Sequence, residues 1–333
     1  MIESASVWTH RPSSRSTWVL AEVVADGIHG VGELSDGGPL DELLAAAESV
    51  RTSLVGRSVA QARTELGRPA DSFLSSTVRG GFAAAVADLT ARLEGRSLSE
   101  SLGLGAPRPV RLYANLNRRF GADGAETIVA EALRAVGNGF TAVKVAPFLD
   151  NHARGLTGTR LIDAGLELVT KVRAALPDDV RLMVDCHHLV PAADVVPELA
   201  ALELHWVEDL VPLGDRAAVE SAVAAGLSLA GGEHVWQPAV AAASCGGLAY
   251  WLVDPKHAGG PDGVRRIAEA IGETQLTFHN PSGPVGTAHA AQLAGLMGAD
   301  GWLEYAWGEA APVGGTLRPE GPGIGPVRRV GEE

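Results

Sequence analysis

Six successive apolar runs in this chain each close, or nearly close, on a carboxylate or an imidazole. The residues are Asp185, Glu208, Glu233, Asp254, His279 and Glu304, in RLMVDCH, HWVED, LSLAGGE, YWLVD, LTFH and GWLE. They are 21 to 25 residues apart, the length of one strand, one helix and two short loops. In a barrel of parallel strands all C-terminal strand ends open onto one face, and a reactive side chain at such an end reads as catalytic. Asp185, Glu208 and Glu233 on consecutive strands form an oxygen-only ligand set, which suits a hard cation such as Mg²⁺ with water or substrate completing the octahedron. Acids that close runs this apolar are expected to be buried, and a buried acid needs a partner. Asp254 and His279 follow on neighbouring strands. A carboxylate bonded to an imidazole fixes its tautomer and raises its basicity, as abstraction of a carbon-bound proton requires. The pattern predicts a metal site with a general base beside it.

Strand-like segments fall at 110–116, 140–145, 180–186, 204–208, 227–232, 249–254, 275–279 and 301–305, with amphipathic helices such as 124–137, 159–176 and 261–272 between them. This alternation predicts an α/β fold with a parallel sheet, and the count predicts closure into a modified TIM barrel. A doubly wound open sheet is the rival, but no G-x-G-x-x-G follows the first strand. Residues 1–40 read as β-structure around an Asp26-Gly27 turn. Residues 41–103 read as helical, with DELLAAAESVRTSL and GGFAAAVADLTARLEG, the latter ending at Gly95. GLGAPRPV marks a boundary near 103–109.

With 333 residues, 46% of them apolar, the chain has ample core for a barrel and a smaller domain. A net charge of −13 disfavours nucleic acid and anionic membrane as partners. It leaves an anionic substrate open, because a bound divalent cation reverses the local field. The two cysteines, Cys186 and Cys245, suggest neither a zinc cluster nor a disulfide scaffold. With no apolar stretch behind a basic start and no run of 18 apolar residues, a cytoplasmic enzyme is expected.

Further side chains surround this frame. In Asp185-Cys186-His187, strand alternation predicts that His187 shares the face of Asp185, as a cavity group or as a donor orienting a ligand. Cys186 then points to the helix layer and His188 away. Lys144, inside FTAVKVAPF, is expected to be buried, holding a substrate carboxylate or acting as a base of lowered pKa. Asn115 and Asn117 end the first barrel strand within reach of a substrate hydroxyl. His234 is open between structure and substrate contact. Lys256 and His257 are open between substrate contact and plain loop exposure. Arg11 and Arg15 are expected at the surface.

These residues resemble the enolase superfamily and, within it, the mandelate racemase-like subgroup. GVGE near residue 30, RGGFAAAVADLTARLEGRSLSESLG, WVED, GGE, DPKHAGG, HNPSGPVGTAHAA and the closing GPGIG carry the resemblance over nearly the whole chain. It implies an α+β capping domain (1–105), a (β/α)₇β barrel (106–305), a C-terminal segment (306–333) packing back on the capping domain, and one Mg²⁺. Members use a Lys or His base with Mg²⁺ to stabilise an enediolate. Carried over, Asp185, Glu208 and Glu233 match the metal ligands, His279 and Asp254 the base pair, and Glu304 the Glu that hydrogen-bonds the substrate carboxylate. Lys144 matches the first Lys of a Lys-x-Lys whose second position is Ala146 here, which disfavours inversion at carbon. His187 in Asp-x-His matches the galactonate dehydratase pattern, where it serves as general acid. HRPSSRS leaves little room for a long capping loop, so that loop's specificity residues do not transfer. The expectation is an Mg²⁺-dependent dehydratase of a small carboxylate, an acid sugar, in a homo-oligomer. The alternatives are a racemase or epimerase of a 2-hydroxy acid, and a non-catalytic binding protein on the same barrel.

Overall fold

The computed structural model describes residues 1–119, 124–309 and 313–326. It begins with an antiparallel sheet of β1 (Ser4–His10), β2 (Trp18–Ala25) and β3 (Ile28–Glu33). Asp26 and Gly27 take φ values of 52° and 69°, the left-handed pair that a two-residue hairpin requires. Helices α1 (Leu40–Leu54), α2 (Val59–Leu66), α3 (Phe73–Leu93) and α4 (Leu98–Ser101) follow. Helix α3 lies on β3 almost backbone to backbone. A Cβ at Gly30 would stand 2.3 Å from the Ala85 carbonyl oxygen, and one at Gly32 would stand 2.0 Å from that of Gly81. The two glycines of GVGE therefore let the helix close on the sheet and deliver Glu33 at the strand end.

The barrel is built from β4 (Val110–Asn115), α5 (Ala125–Gly137), β5 (Ala142–Val145), α6 (Leu149–Ala153), α7 (Gly158–Ala175), β6 (Arg181–Asp185), α8 (Val196–Ala200), β7 (Trp206–Glu208), α9 (Arg216–Ala224), β8 (Leu229–Gly231), α10 (Pro238–Ser244), β9 (Tyr250–Val253), α11 (Pro261–Ala270), β10 (Gln275–Phe278), α12 (Pro284–Gln292) and β11 (Leu303–Ala306). The eight parallel strands follow chain order, and β11 closes on β4 with Leu303 opposite Leu112 and Ala306 opposite Asn115. This is a (β/α)₇β barrel beside an N-terminal antiparallel domain.

The C-terminal segment returns along two surfaces. Strand β12 (Thr316–Leu317) adds antiparallel to β4. Beyond it, the Gly323 amide donates to the Arg96 carbonyl at 2.8 Å, and the Ile324 amide donates to Asp88 at 2.8 Å. Residues 310–312 and 327–333 of this segment lie outside the described residues.

Two apolar layers position the site. Between strands and helices, Val143, Val145, Leu182, Val184, Val207 and Phe278 are buried with the inward faces of the helices. Inside the barrel, Tyr113, Met183, Trp206, Leu252 and Trp302 pack together, with Trp206 edge-on to Tyr113 at 5.4 Å. Truncating one such aromatic to alanine costs roughly 3–5 kcal/mol. With this end filled, the charged inward residues gather toward the C-terminal strand ends, while the inward Thr277 hydroxyl bonds the Trp302 backbone. No helix among the described residues is long and apolar enough to cross a membrane.

Candidate active site

Strand register brings the spaced acidic residues onto one face. Asp185 stands opposite Glu208 across β6 and β7, and Lys144 opposite Asn115 across β4 and β5. Lys144 is fully buried, and its ammonium is 2.9 Å from both Glu208 oxygens and 3.5 Å from Asp185 and from Glu304. Burial alone would lower its pKa, but these carboxylates raise it well above the ordinary lysine value. In this arrangement the Lys144 ammonium is ion-paired with buried carboxylates. Burial pushes Asp185 up, but Lys144 and His187 win and hold it below the ordinary range. The Asn117 amide donates to Asp185 at 3.3 Å.

His187 reaches the cavity by a different route from the one expected. Strand β6 ends at Asp185, and His187 and His188 take φ values of 49° and 53°. A left-handed turn, not strand alternation, places His187 Nδ1 2.9 Å from Asp185 Oδ1. Burial opposes charging of the ring, but Asp185 raises its pKa above the ordinary value. His188 is more exposed and stands 3.7 Å from Asp209.

On the other side of the mouth, His279 Nδ1 hydrogen-bonds Asp254 Oδ2 at 2.9 Å, while its Nε2 faces Glu233 at 3.1 Å and Glu304 at 3.8 Å. Burial raises the Asp254 carboxyl, but His257, Lys256 and His279 together depress it strongly, so it is a carboxylate. Loop exposure of Lys256 and His257 is overturned, since they are 6% and 2% exposed. The Lys256 ammonium is bonded to Asp254 rather than open to a substrate. His234 is exposed at the rim, 3.3 Å from Glu233.

Glu304, fully buried, is held from four sides. Asn115 donates to Oε1, the Asn280 amide donates to Oε2 at 2.9 Å, Tyr113 Oη donates at 3.2 Å, and Lys144 lies beside it. Asn115 and Asn117 are thus turned onto site carboxylates. Burial raises Glu304, but Lys144 and His279 overcome it, and its pKa is lowered.

Asp185, Glu208, Asp209 and Glu233 are four buried carboxylates, and Lys144 pairs directly with Asp185 and Glu208. Glu233 is raised well above the ordinary range by burial and by Glu208, Asp185 and Asp209. Asp209, in a left-handed conformation, is raised to about 7 by burial and by Asp185 and Glu208. Such crowding of hard oxygen donors with uncompensated charge fits a divalent cation. Asp185 and Glu208 end neighbouring strands in register, and Glu233 follows the next. Among the described residues the group whose ligand atoms all lie within 4.8 Å of one another is Asp209, Glu233 and His234. Lys144 draws Glu208 to one side, and His279 holds Glu233 on the other. Asp209 escaped the sequence reading, although the WVED run carries it beside Glu208.

A family model described as enolase C-terminal domain-like matches residues 127–327. No curated protein matches the sequence. Three solved structures share the fold at low identity. The 3,6-anhydro-D-galactonate cycloisomerase from Zobellia galactanivorans is 21% identical, with a TM-score of 0.81, covering 97% of this chain and 95% of that one. A mandelate racemase/muconate lactonizing enzyme-like protein from Rubrobacter xylanophilus is 22% identical, with a TM-score of 0.77 over 92% and 86% of the two chains. A candidate galactarate dehydratase from Agrobacterium radiobacter, with Na and L-malate bound, is 21% identical, with a TM-score of 0.76 over 91% and 80%. With the family model covering most of its barrel, the chain belongs to the enolase superfamily, with the mandelate racemase/muconate lactonizing enzyme-like proteins.

Proposed function

We propose that this protein dehydrates a hydroxy acid, an acid sugar, to a 2-keto product. The observation that carries the reading is a pair of imidazole–carboxylate couples on facing sides of one acidic cluster. His279 with Asp254 ends the seventh barrel strand and its neighbour, and His187 with Asp185 ends the third. In a ring of eight strands the third and seventh are opposite, so a small substrate between them meets a base on one side and an acid on the other.

Asp254 accepts from His279 Nδ1 and leaves Nε2 as the lone-pair nitrogen that takes the α-proton. Lys144 addresses the substrate carboxylate by charge, and Glu304 hydrogen-bonds it in the protonated form that the substrate's own negative charge favours, as further charge grows there. His187 gives a proton to the departing β-hydroxyl. Asp185, Glu208 and Glu233, with Asp209 in reserve beside them, would hold one Mg²⁺. Such a cation supplies fixed positive charge that stabilises the developing enediolate. The ion-paired ammonium of Lys144 and the apolar Ala146 favour elimination over racemisation, because inversion needs a second base.

The test is a screen of acid sugars and small hydroxy acids, read by α-proton exchange in D₂O and by 2-keto product. On a substrate found this way, His187→Gln should keep exchange and lose elimination by about 10²–10⁴-fold. Equal loss of both reactions would remove the acid role. Inversion without loss of water in the wild type would replace dehydration by epimerisation.

A further inference from the structure

The two chain segments that leave the His279–Asp254 pair are both fastened to the N-terminal domain. After Asp254, the turn at Lys256–Gly260 lies against α3. A Cβ at Gly80 would stand 2.0 Å from the Lys256 carbonyl oxygen, Ser76 Oγ donates to the His257 carbonyl at 2.7 Å, and Thr77 Oγ1 meets His257 Nδ1 at 2.8 Å. After His279, the loop into α12 is held by one carboxylate. Glu33, 2% exposed at the end of β3, accepts the Gly283 amide on Oε1 at 2.8 Å and the Gly286 amide on Oε2 at 2.9 Å. Ser35 Oγ donates to the same carboxylate at 2.7 Å and itself accepts the Val19 amide at 3.0 Å. Both oxygens are thus spent on the first turn of α12 and on the sheet that carries Glu33.

The loop that Glu33 grips contains site groups. It starts at His279, and its next residue, Asn280, donates its amide to Glu304. Gly283 admits no side chain, because a Cβ there would stand 2.6 Å from the Trp18 indole of β2. Glu33, Lys256, Asp254 and Asn280 also line one small cavity of about 20 Å³ behind the pair. Lys256, bonded to Asp254, is the cation whose charge acts on Glu33.

We propose that Glu33 is a positioning residue for the base: through the Gly283 and Gly286 amides it fixes the loop that carries His279 against Asp254. The N-terminal domain then sets the geometry of the proton-abstracting pair. This rests on the assignment of His279 as base in the proposed dehydration.

The test compares Glu33→Gln with Arg63→Ala in the full chain with Mg²⁺. The Glu33→Gln change is isosteric but turns an NH₂ toward one of the two backbone amides. Arg63 pairs with Asp262 at 3.1 Å across the same domain interface, exposed and away from the pair, so its loss controls for weakened docking. Glu33→Gln should lower kcat for α-proton exchange about ten- to a hundredfold, the range of a misplaced catalytic group, with KM changed little. It should also speed amide exchange in the 279–287 segment and shift the His279 Cε1–H resonance, assigned by its loss in His279→Asn. Arg63→Ala should do none of these. If Glu33→Gln fails to fold, Ser35→Ala, which keeps the carboxylate and frees it on one side, should show the same changes more weakly.

Wild-type kcat in a folded Glu33 variant, or a kcat loss without faster exchange in 279–287, would overturn the proposal. If no carboxylate exchanges its α-proton in the wild type, the dehydratase reading fails by itself. The His279 resonance and the segment's protection then decide whether Glu33 places this ring.

Discussion

Lys144→Met offers the sharpest test of how the site is held together. Methionine keeps the length and apolar volume of the side chain and deletes the charge that stands within 3.5 Å of Asp185, Glu208 and Glu304. All three carboxylates are buried, so none is rescued by water. Removing one partner of a buried ion pair costs about 3–5 kcal/mol, chiefly because the other charge is left uncompensated. Spread over the unfolding entropy of a 333-residue chain, at roughly 2.1 cal/mol/K per residue, this lowers Tm by about 4–7 °C. Calorimetric melting in EDTA should show that drop. Melting in Mg²⁺ should show a smaller one, because a divalent cation compensates the same carboxylates. A Tm in EDTA within about 1 °C of wild type would refute the reasoning, since it would mean that these acids do not depend on Lys144 in the folded state. An equal drop with and without Mg²⁺ would remove Asp185 and Glu208 from the cation site.

Asp254→Asn should cut α-proton exchange by about 10²–10⁴-fold while Mg²⁺ still raises Tm, because His279 loses the acceptor that fixes its tautomer and no cation donor is lost; unchanged exchange would disqualify the pair. Stability should fall as the pH drops from about 6.5 toward 4, because burial, then Arg181 and Arg111, lower His205 to about 4, and burial also holds His257 and His289 below the ordinary value. An imidazole that stays neutral in the fold but titrates near 6.5 when unfolded makes the unfolded chain bind more protons in that window, so acid favours unfolding there. His205→Gln should flatten the slope in urea titrations across that range, and an unchanged slope would assign the acid sensitivity elsewhere.

Much of this protein is legible in its covalent sequence because its signals are periodic. An apolar run closed by Asp185, Glu208, Glu233, Asp254, His279 or Glu304 recurs at the length of one strand–helix unit, and that period implies both the parallel barrel and the shared face. Local pattern is enough there, since a strand end in such a sheet points where its neighbours' ends point. The Asp26-Gly27 hairpin is legible for the same reason, its conformation being a property of two adjacent residues.

What the tertiary structure decided concerns contacts between residues far apart in the chain. Nothing local to DPKHAGG says that Lys256 is buried against Asp254, because burial there depends on α3 arriving at Gly80. Nothing local to Lys144 says that Glu208, 64 residues away, closes on its ammonium with both oxygens. His187 meets Asp185 through a left-handed turn that alternation does not encode. Glu33 reaches the base loop across 250 residues of sequence, and its role exists only once two domains are docked. Periodicity dictates elements and faces through nearest-neighbour geometry. Protonation and precise placement follow from desolvation and from Coulomb interactions that fall off with distance in space, not along the chain.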